Sequence, residues 1–481
     1  MSIGGRVRHN PPIRVTIVSS SFTIPKLLLD YLPRTLYLSM QQINEYVYHP
    51  KVETEEEEVV QVENNPKKKK KRLVIKARPA PVPVPVPVPV PAPVPVPMPA
   101  PAKEDEDAFV LQTMLTCLGN KRSLVSNIRD IADDVRRRLG LGLGKDKPLL
   151  RILDGFSGSA VVSRKLSYIA SSLHTNDMEE YAYLMAKCSV ETPSSEHRVQ
   201  IAIHIDRMNA LAASGPYVRG FVSELYAPKD TANIEMGERC FYTQENAQII
   251  DTLRAYIADE VPTELQAYCL VPLLNKASIQ ANTSGVFKGF HSENGVGKWG
   301  GAAGGSLPRI TGPIRLDMPV WNTASAFVGR ATRQNINTLL AGDEFADGSL
   351  DLVYLDPPYN QHPYGSNYFM LNLIATNTAP APEVLSRVSG IPNTWTRSDY
   401  NYKKSATTAM SELIESCLRK SAYVLVSYND EGIIDDATWA TILAPYNMEL
   451  FEIKYNTYRG SRNLAGRSDK VMERMYLIWR K

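Results

Sequence analysis

Cysteine is scarce: five in 481 residues, at positions 117, 188, 240, 269 and 417, with no C-x-x-C among them. That scatter excludes a zinc ribbon and a disulfide framework, and it fits a reducing compartment. The seven histidines do not cluster either, so no metal is implied. No apolar run approaches the ~20 residues of a membrane span without charges or prolines. "VTIVSSSFTIPKLLLDYL" near the start is broken by serines and Pro25 and makes a poor signal peptide. Excess charge is missing too, with 54 basic against 51 acidic residues and a net +3, so any basic surface must be local. The chain reads as soluble and intracellular, with no membrane partner.

Two phosphate-binding signatures are also absent. Gly158-Ser159-Ala160 keeps only the first glycine of a G-x-G-x-x-G turn, and no lysine–serine pair marks a P-loop. A nucleoside without phosphates suits such a turn better than a nucleotide.

What is present falls into two unlike parts. Residues 1–108 hold an acidic run, Glu55–Glu58, then "PKKKKKRLV" (66–74), then a Pro-Val tract over 79–102. Alternating proline forbids helix and central strand, so the tract is expected as a polyproline II spacer of roughly 70 Å in a disordered tail. The lysine run has the form of a nuclear import signal, or of a solvated charge run. Spacer and lysine run together suit a eukaryotic or large-virus context.

From about residue 108 the composition is globular. "LLRILDGFSGSAVVSRKLSYIA" (149–170) reads strand, glycine turn, helix, and "NDMEEYAYLMAKCSV" (176–190) a further helix. The rhythm breaks over 195–325, which begins helical and turns glycine-rich, and resumes at "SLDLVYLDPPY" and "SAYVLVSYNDEGII". Alternating strands and helices predict a doubly wound α/β sheet with an inserted domain.

The chemistry concentrates at strand ends. Asp154, Phe156 and Gly158 form a turn where a backbone can approach a cofactor closely. Asp177 stands where a second strand should end, placed either to accept from ribose hydroxyls or to cap the helix that follows. In "LDPPY", Asp356 and the Pro357 carbonyl can both accept from one –NH₂ group, because the Pro-Pro pair stiffens the loop and leaves its carbonyls free. Tyr359 offers a flat face for stacking a base. This suits methylation of an amino group on a base rotated out of a duplex.

At these residues the chain resembles the S-adenosylmethionine-dependent DNA adenine-N(6) methyltransferases of the Dam-like class, which serve restriction–modification. "LGNKRSL" (118–124) is similar to the class's N-terminal cofactor motif, "LDGFSGSAVVS" to its glycine motif and "LDPPYNQHPYGSNYF" to its catalytic motif. "AYVLVSYNDEGII" is similar to the strand motif that walls the base pocket. The resemblance covers roughly 110–481 and implies a Rossmann-like methyltransferase sheet with an inserted target-recognition domain. Its expected divisions are a cofactor half (109–194), the insert (195–325) and a catalytic half (326–481). It implies that Lys121 meets the methionine carboxylate of S-adenosyl-L-methionine and that Asp154, Phe156 and Gly158 line the cofactor. Asp177 would take the ribose and Asn337 the adenine, although the class often has Asp at the latter position. Asp356, Pro357 and Tyr359 are the implied catalytic residues, with Tyr428 a wall of the base pocket or ordinary strand-end packing.

Duplex DNA is the implied partner, with a cognate restriction endonuclease as a functional one. Lys288 and Lys298, interleaved with aromatics among glycines, are candidates for contacting it, against the alternative of a flexible surface loop. Arg459 and Arg462 sit in "KYNTYRGSRNLAGRSDK", which concentrates five cations against one acid. Methylation of cytosine's amine, RNA as substrate, and a catalytically silent DNA-binding subunit are the competing readings. Asp at 356 leans toward adenine, and Tyr rather than Trp after Pro-Pro leans away from messenger RNA.

Overall fold

The computed structural model describes residues 109–110, 112, 115, 119, 121–142, 149–301, 304–322, 327–456 and 470–481. The lysine run, the Pro-Val tract, Arg459 and Arg462 lie outside the described residues. The unit described is the one spanning Met98–Lys481.

The chain enters through helix α1 (Val125–Arg138), whose last turn carries Arg136, Arg137 and Arg138 against the negative end of the helix dipole. Strand β1 (Leu150–Asp154), helix α2 (Val161–Leu166), strand β2 (Ala170–Asp177) and helix α3 (Glu180–Val190) follow. A helical stretch comes next: α4 (Ser195–Ser214), α5 (Gln244–Glu260) and α6 (Thr263–Ile279). Ser194 and Thr243 cap the first two by accepting from His197 N and Asn246 N. Strand β3 (Val328–Arg333), helix α7 (Ile336–Ala341) and strand β4 (Leu350–Leu355) restore the alternation. Helices α8 (Tyr364–Asn367), α9 (Phe369–Thr376) and α10 (Ala406–Lys420) lead to β5 (Ser421–Asn429). Helix α11 (Asp436–Leu443) and the pair β6 (Asn447–Asn456) and β7 (Lys470–Trp479) follow, and shorter elements include helices at Phe221–Leu225 and Leu307–Ile310 and a separate hairpin of Ser292–Glu293 and Val296–Gly297.

The seven strands form one sheet in the order β3-β2-β1-β4-β5-β7-β6. All neighbours are parallel except β7, which runs antiparallel to both β5 and β6. Parallel strands covered on both faces read as near-continuous apolar runs, and β4, "LDLVYL", is buried at five of its six positions. One face packs on α1 and α2 through Ile128, Val135 and Leu166, and the other on α7, α10 and α11 through Leu339, Met410 and Trp439.

Helices α4 to α6 bury their apolar residues in a core shared with α3 and α9, where Met185, Ile250, Leu270 and Phe369 belong to one cluster. The glycine-rich segment after α6 is pinned to that core. Phe287 is buried, its amide donating to Asn367 O at 2.7 Å. Asn282 Nδ2 donates to the carbonyls of Cys240 and Lys298, and Asn282 Oδ1 accepts from Gly300 N.

The order of strands fixes where a ligand can sit. The order of strands reverses between the parallel neighbours β1 and β4, with β2 and β3 to one side and β5 to the other, so the loops leaving their carboxyl ends diverge and open a crevice, the usual ligand position in open α/β sheets. Asp154 ends β1 and Asp356 follows β4.

Candidate active site

A cleft opens at that crevice, lined by Lys121, Asp154, Phe156, Gly158, Asp177 and Asp356 among others. The turn after β1 forms its floor. Gly158 sits at φ +49° and Ala160 at φ +59°, left-handed values that cost glycine nothing and alanine about 1 kcal/mol. The turn therefore keeps its shape without the second glycine.

Asp177 ties this turn to the next. Its Oδ2 accepts from Gly158 N at 2.9 Å and its Oδ1 from Glu179 N at 3.0 Å. The carboxylate thus borders the cleft while organising both loops. Burial pushes its pKa up, opposed by the amides of Glu179 and Gly158.

Asp154 is buried at the end of β1, with Oδ2 accepting from Ser163 Oγ at 2.5 Å. Its Oδ1 is buried with no hydrogen-bond partner among the described residues. Burial raises its pKa to about 7, against the Ser163 hydrogen bond and with the Asp356 charge adding to the rise. Glu179, on the same wall, is also lifted to about 7 by burial, although Asn372 Nδ2 donates to it at 2.6 Å.

Lys121 and Asp356 form the opposite wall. Lys121 Nζ lies 2.6 Å from Asp356 Oδ1 and 3.3 Å from Glu473 Oε1, and 5.7 Å from the Tyr359 ring centre. Burial raises the pKa of Asp356, opposed by Lys121 and reinforced by Glu473. The pKa of Lys121 is raised by the two carboxylates despite its own desolvation. The second Asp356 oxygen makes no hydrogen bond among the described residues.

The loop after Asp356 is held from two sides. Tyr359 O accepts from Ile433 N at 2.9 Å, and Asn360 O from Asn401 Nδ2 at 2.7 Å. Pro357 is buried, Pro358 borders the cleft, and the Tyr359 ring meets that of Tyr428 edge-on at 6.2 Å. Tyr428 itself is buried, its hydroxyl accepting from Ile434 N and its ring packed on Trp439, so it backs Tyr359.

Pro357, Tyr359 and Tyr428 stand behind the cleft lining, and Asn337, Lys288 and Lys298 are likewise not part of it. Asn337 spends both ends of its amide elsewhere: Nδ2 donates to Ala409 O at 3.0 Å and Oδ1 accepts from Tyr400 OH at 2.6 Å. It touches the site only through Tyr400, whose ring packs edge-on against Phe156 at 5.3 Å. Lys298 pairs with Glu293 at 2.9 Å on a small hairpin, and Lys288 Nζ lies 3.3 Å from His362 Nδ1, six residues beyond Asp356. The sequence reading also overlooked residues. Glu473 is the chief one, and its signal was a carboxylate in phase with Val471, Met475 and Leu477 on an apolar strand. Ser163, Glu179 and the strap carrying Thr396, Ser398 and Asn401 carried no signal beyond their polar side chains.

Sheet order, antiparallel seventh strand and cleft are those of the Rossmann-like methyltransferase fold. Within that class, residues 338–434 match the family model for the D12 class N6 adenine-specific DNA methyltransferase. The chain is 26% identical over 343 residues to modification methylase StsI of Streptococcus sanguinis, covering 68% of this chain and 48% of that protein. It is 25% identical over 337 residues to type II methyltransferase M.CviAII of Paramecium bursaria Chlorella virus 1, covering 69% and 91%. With type II methyltransferase M.NlaIII of Neisseria lactamica it shares 24% over 334 residues, covering 68% and 89%. It therefore spans about half of the first relative and about nine-tenths of the other two. These matches support an adenine-specific DNA methyltransferase of the restriction–modification type. Among the described residues no group of acidic, histidine or cysteine side chains is placed to hold a metal, and no helix is long and apolar enough to cross a membrane.

Proposed function

We propose that the chain transfers a methyl group from S-adenosylmethionine to the exocyclic amine of a flipped adenine at a specific site in duplex DNA. The observation that carries this is Asp356 on the cleft wall, its Oδ1 2.6 Å from Lys121 Nζ and its second oxygen hydrogen-bonded to nothing among the described residues, with the Tyr359 ring centre 5.7 Å from the same ammonium. A base stacked on Tyr359 brings its amine to that oxygen.

The cleft suits the methyl donor. The orphaned, buried Oδ1 of Asp154 needs a donor, Asp177 presents a carboxylate, and Phe156 an apolar ring. Those are partners for a nucleoside, and Lys121 is a partner for a carboxylate on its amino-acid arm. When bound, S-adenosylmethionine supplies an electrophilic methyl: the amine lone pair forms the N–C bond as the C–S bond breaks and its electrons stay on sulfur.

The chain's own part is alignment and charge. Asp356 takes one N–H of the amine and the Pro357 carbonyl the other, drawing the nitrogen toward pyramidal geometry and aiming its lone pair. As the nitrogen becomes positive, the Asp356 carboxylate faces it and accepts the proton it sheds. Tyr428 stiffens Tyr359 from behind. Helices and loops between 195 and 325 carry target recognition, with Lys288 beside the loop after Asp356 and with Lys298, Arg459 and Arg462 as further cations for the phosphates. Like the relatives' names, this reading implies a restriction endonuclease as functional partner. Nuclear import through 66–74 has no support among the relatives and is not part of it.

The test is purified protein with labelled S-adenosylmethionine and unmethylated genomic DNA, followed by digestion and separation of nucleosides. Label in N6-methyladenine is expected, absent with Asp356→Ala. Label in N4-methylcytosine, or in RNA but not DNA, sinks the base or substrate assignment.

A further inference from the structure

Glu473 stands in the interior of β7 with none of its surface exposed. It opposes Asn429 of β5 and Ile453 of β6, and shares its face of the strand with Val471, Met475 and Leu477, all buried. A carboxylate there demands compensation, and three elements supply it. Ser427 Oγ of β5 donates to Oε1 at 2.5 Å, and Tyr455 OH of β6 to Oε2 at 3.3 Å. The third is Lys121, 3.3 Å from Oε1 and itself buried.

Lys121 thus serves two carboxylates, Glu473 behind and Asp356 in front. With Asp356 as its only partner the pair would be neutral, and Asp356 would be the sole anchor of a buried ammonium. Glu473 changes both conditions. The three groups together carry one net negative charge, and the ammonium keeps a partner when Asp356 turns to a ligand. Because the cluster is withdrawn from water, that charge is weakly screened.

We propose that Glu473 is a positioning residue that anchors Lys121 from behind and keeps the Asp356 wall negative, so that the cleft favours cationic over neutral ligands. For the amine that becomes positive on methylation, this rests on the methyl-transfer reading above. For the cofactor it rests only on the part of that reading that seats S-adenosylmethionine in the cleft, and if neither compound binds, that part and the inference fall together. S-adenosylmethionine carries a positive sulfonium where S-adenosylhomocysteine carries a neutral thioether, and the two are otherwise alike.

The experiment is calorimetric titration of the full chain with each of these two compounds, without DNA. In Glu473→Gln the preference for the sulfonium over the thioether falls about tenfold, while S-adenosylhomocysteine affinity changes less than about threefold. Lys121→Gln, which leaves two carboxylates without their cation, raises the same preference about tenfold. The shared carboxylate arm cancels from the ratio in both variants. Ser427→Ala, which keeps the charge, leaves the preference within about twofold. An unchanged ratio in Glu473→Gln, or equal weakening of both compounds, is the signature of a merely structural glutamate and overturns the proposal. So does a ratio that fails to rise in Lys121→Gln, which decides the matter should Glu473→Gln not fold. A wild-type protein that methylates no nucleic acid, yet shows the Glu473-dependent preference, sinks the acceptor reading alone.

Discussion

Lys121 and Asp356, 235 residues apart in the chain, meet at 2.6 Å with their side chains 2% and 17% exposed. The contact joins the loop before α1 to the loop after β4, so it closes the cleft as well as charging it. The two partners are not equivalent, because Lys121 neutralises Glu473 as well. Lys121→Met strands two buried carboxylates and is expected to cost about 3–5 kcal/mol, whereas Asp356→Asn leaves Lys121 on Glu473 and costs about 1 kcal/mol. Urea unfolding of the two variants measures the asymmetry. Equal losses would mean that Glu473 does not share the ammonium.

Asp154 makes stability depend on pH in a direction opposite to that of a salt-bridged acid. Its pKa is lifted from 3.8 to about 7, first by burial, so between those values the folded state holds a proton that the unfolded state has released. Its contribution is full below pH 3.8 and is lost as pH rises through about 7. Asp154→Asn removes the ionisation. The variant is expected to match wild type near pH 4 and to exceed it at pH 8 by on the order of 3 kcal/mol. Urea midpoints at the two pH values check this, and a gain that is the same at both pH values would refute it.

Legibility followed the range of the interaction. Asp154, Gly158 and Asp356 were readable because strand, turn and helix are local patterns, and the motif around each spans only a few residues. The sheet was readable for the same reason. Glu473 was not, since its meaning depends on an antiparallel neighbour, Ser427, 46 residues away and on Lys121 beyond that. The packing of 195–325 was equally hidden. Its helices share a core with α3 and α9, and the apolar residues of a helix do not say which partner covers them. Asn337 shows the converse: its place in the chain resembles that of a cofactor residue, while its hydrogen bonds to Ala409 and Tyr400 are tertiary.

Ala160 tests how much the turn after β1 suffers for lacking its second glycine. It is fully buried beside Ala186, at φ +59°, while Ala186 lies within α3. Ala160→Gly loses a buried methyl worth about 0.8 kcal/mol but relieves about 1 kcal/mol of left-handed strain. Ala186→Gly loses a similar methyl and adds about 1 kcal/mol of helix penalty. The first substitution is therefore expected to be near neutral, and the second to cost about 2 kcal/mol. Thermal unfolding side by side decides it, and equal destabilisation would place the turn in a relaxed conformation.

Gly365 controls the cleft from outside it. A methyl at this position in α8 would lie 2.7 Å from Thr396 O and 2.9 Å from Thr396 N. Both are backbone atoms, so the strap has to move bodily, and it is this strap that brings Thr396, Ser398 and Asn401 to the cleft. Gly365→Ala is expected to cost about 1–3 kcal/mol by overpacking, and to weaken cofactor affinity about tenfold by displacing the strap. Gly342 is the control. A methyl there meets nothing closer than 3.5 Å, and its φ of −81° suits any residue, so Gly342→Ala should change neither quantity. Calorimetric titration with S-adenosylmethionine, alongside unfolding of each variant, separates the two effects. If Gly365→Ala loses stability but binds as wild type does, the strap is packing and not part of the ligand's wall. If it loses affinity in proportion to the shift, the close approach at Gly365 is what sets the shape of the cleft.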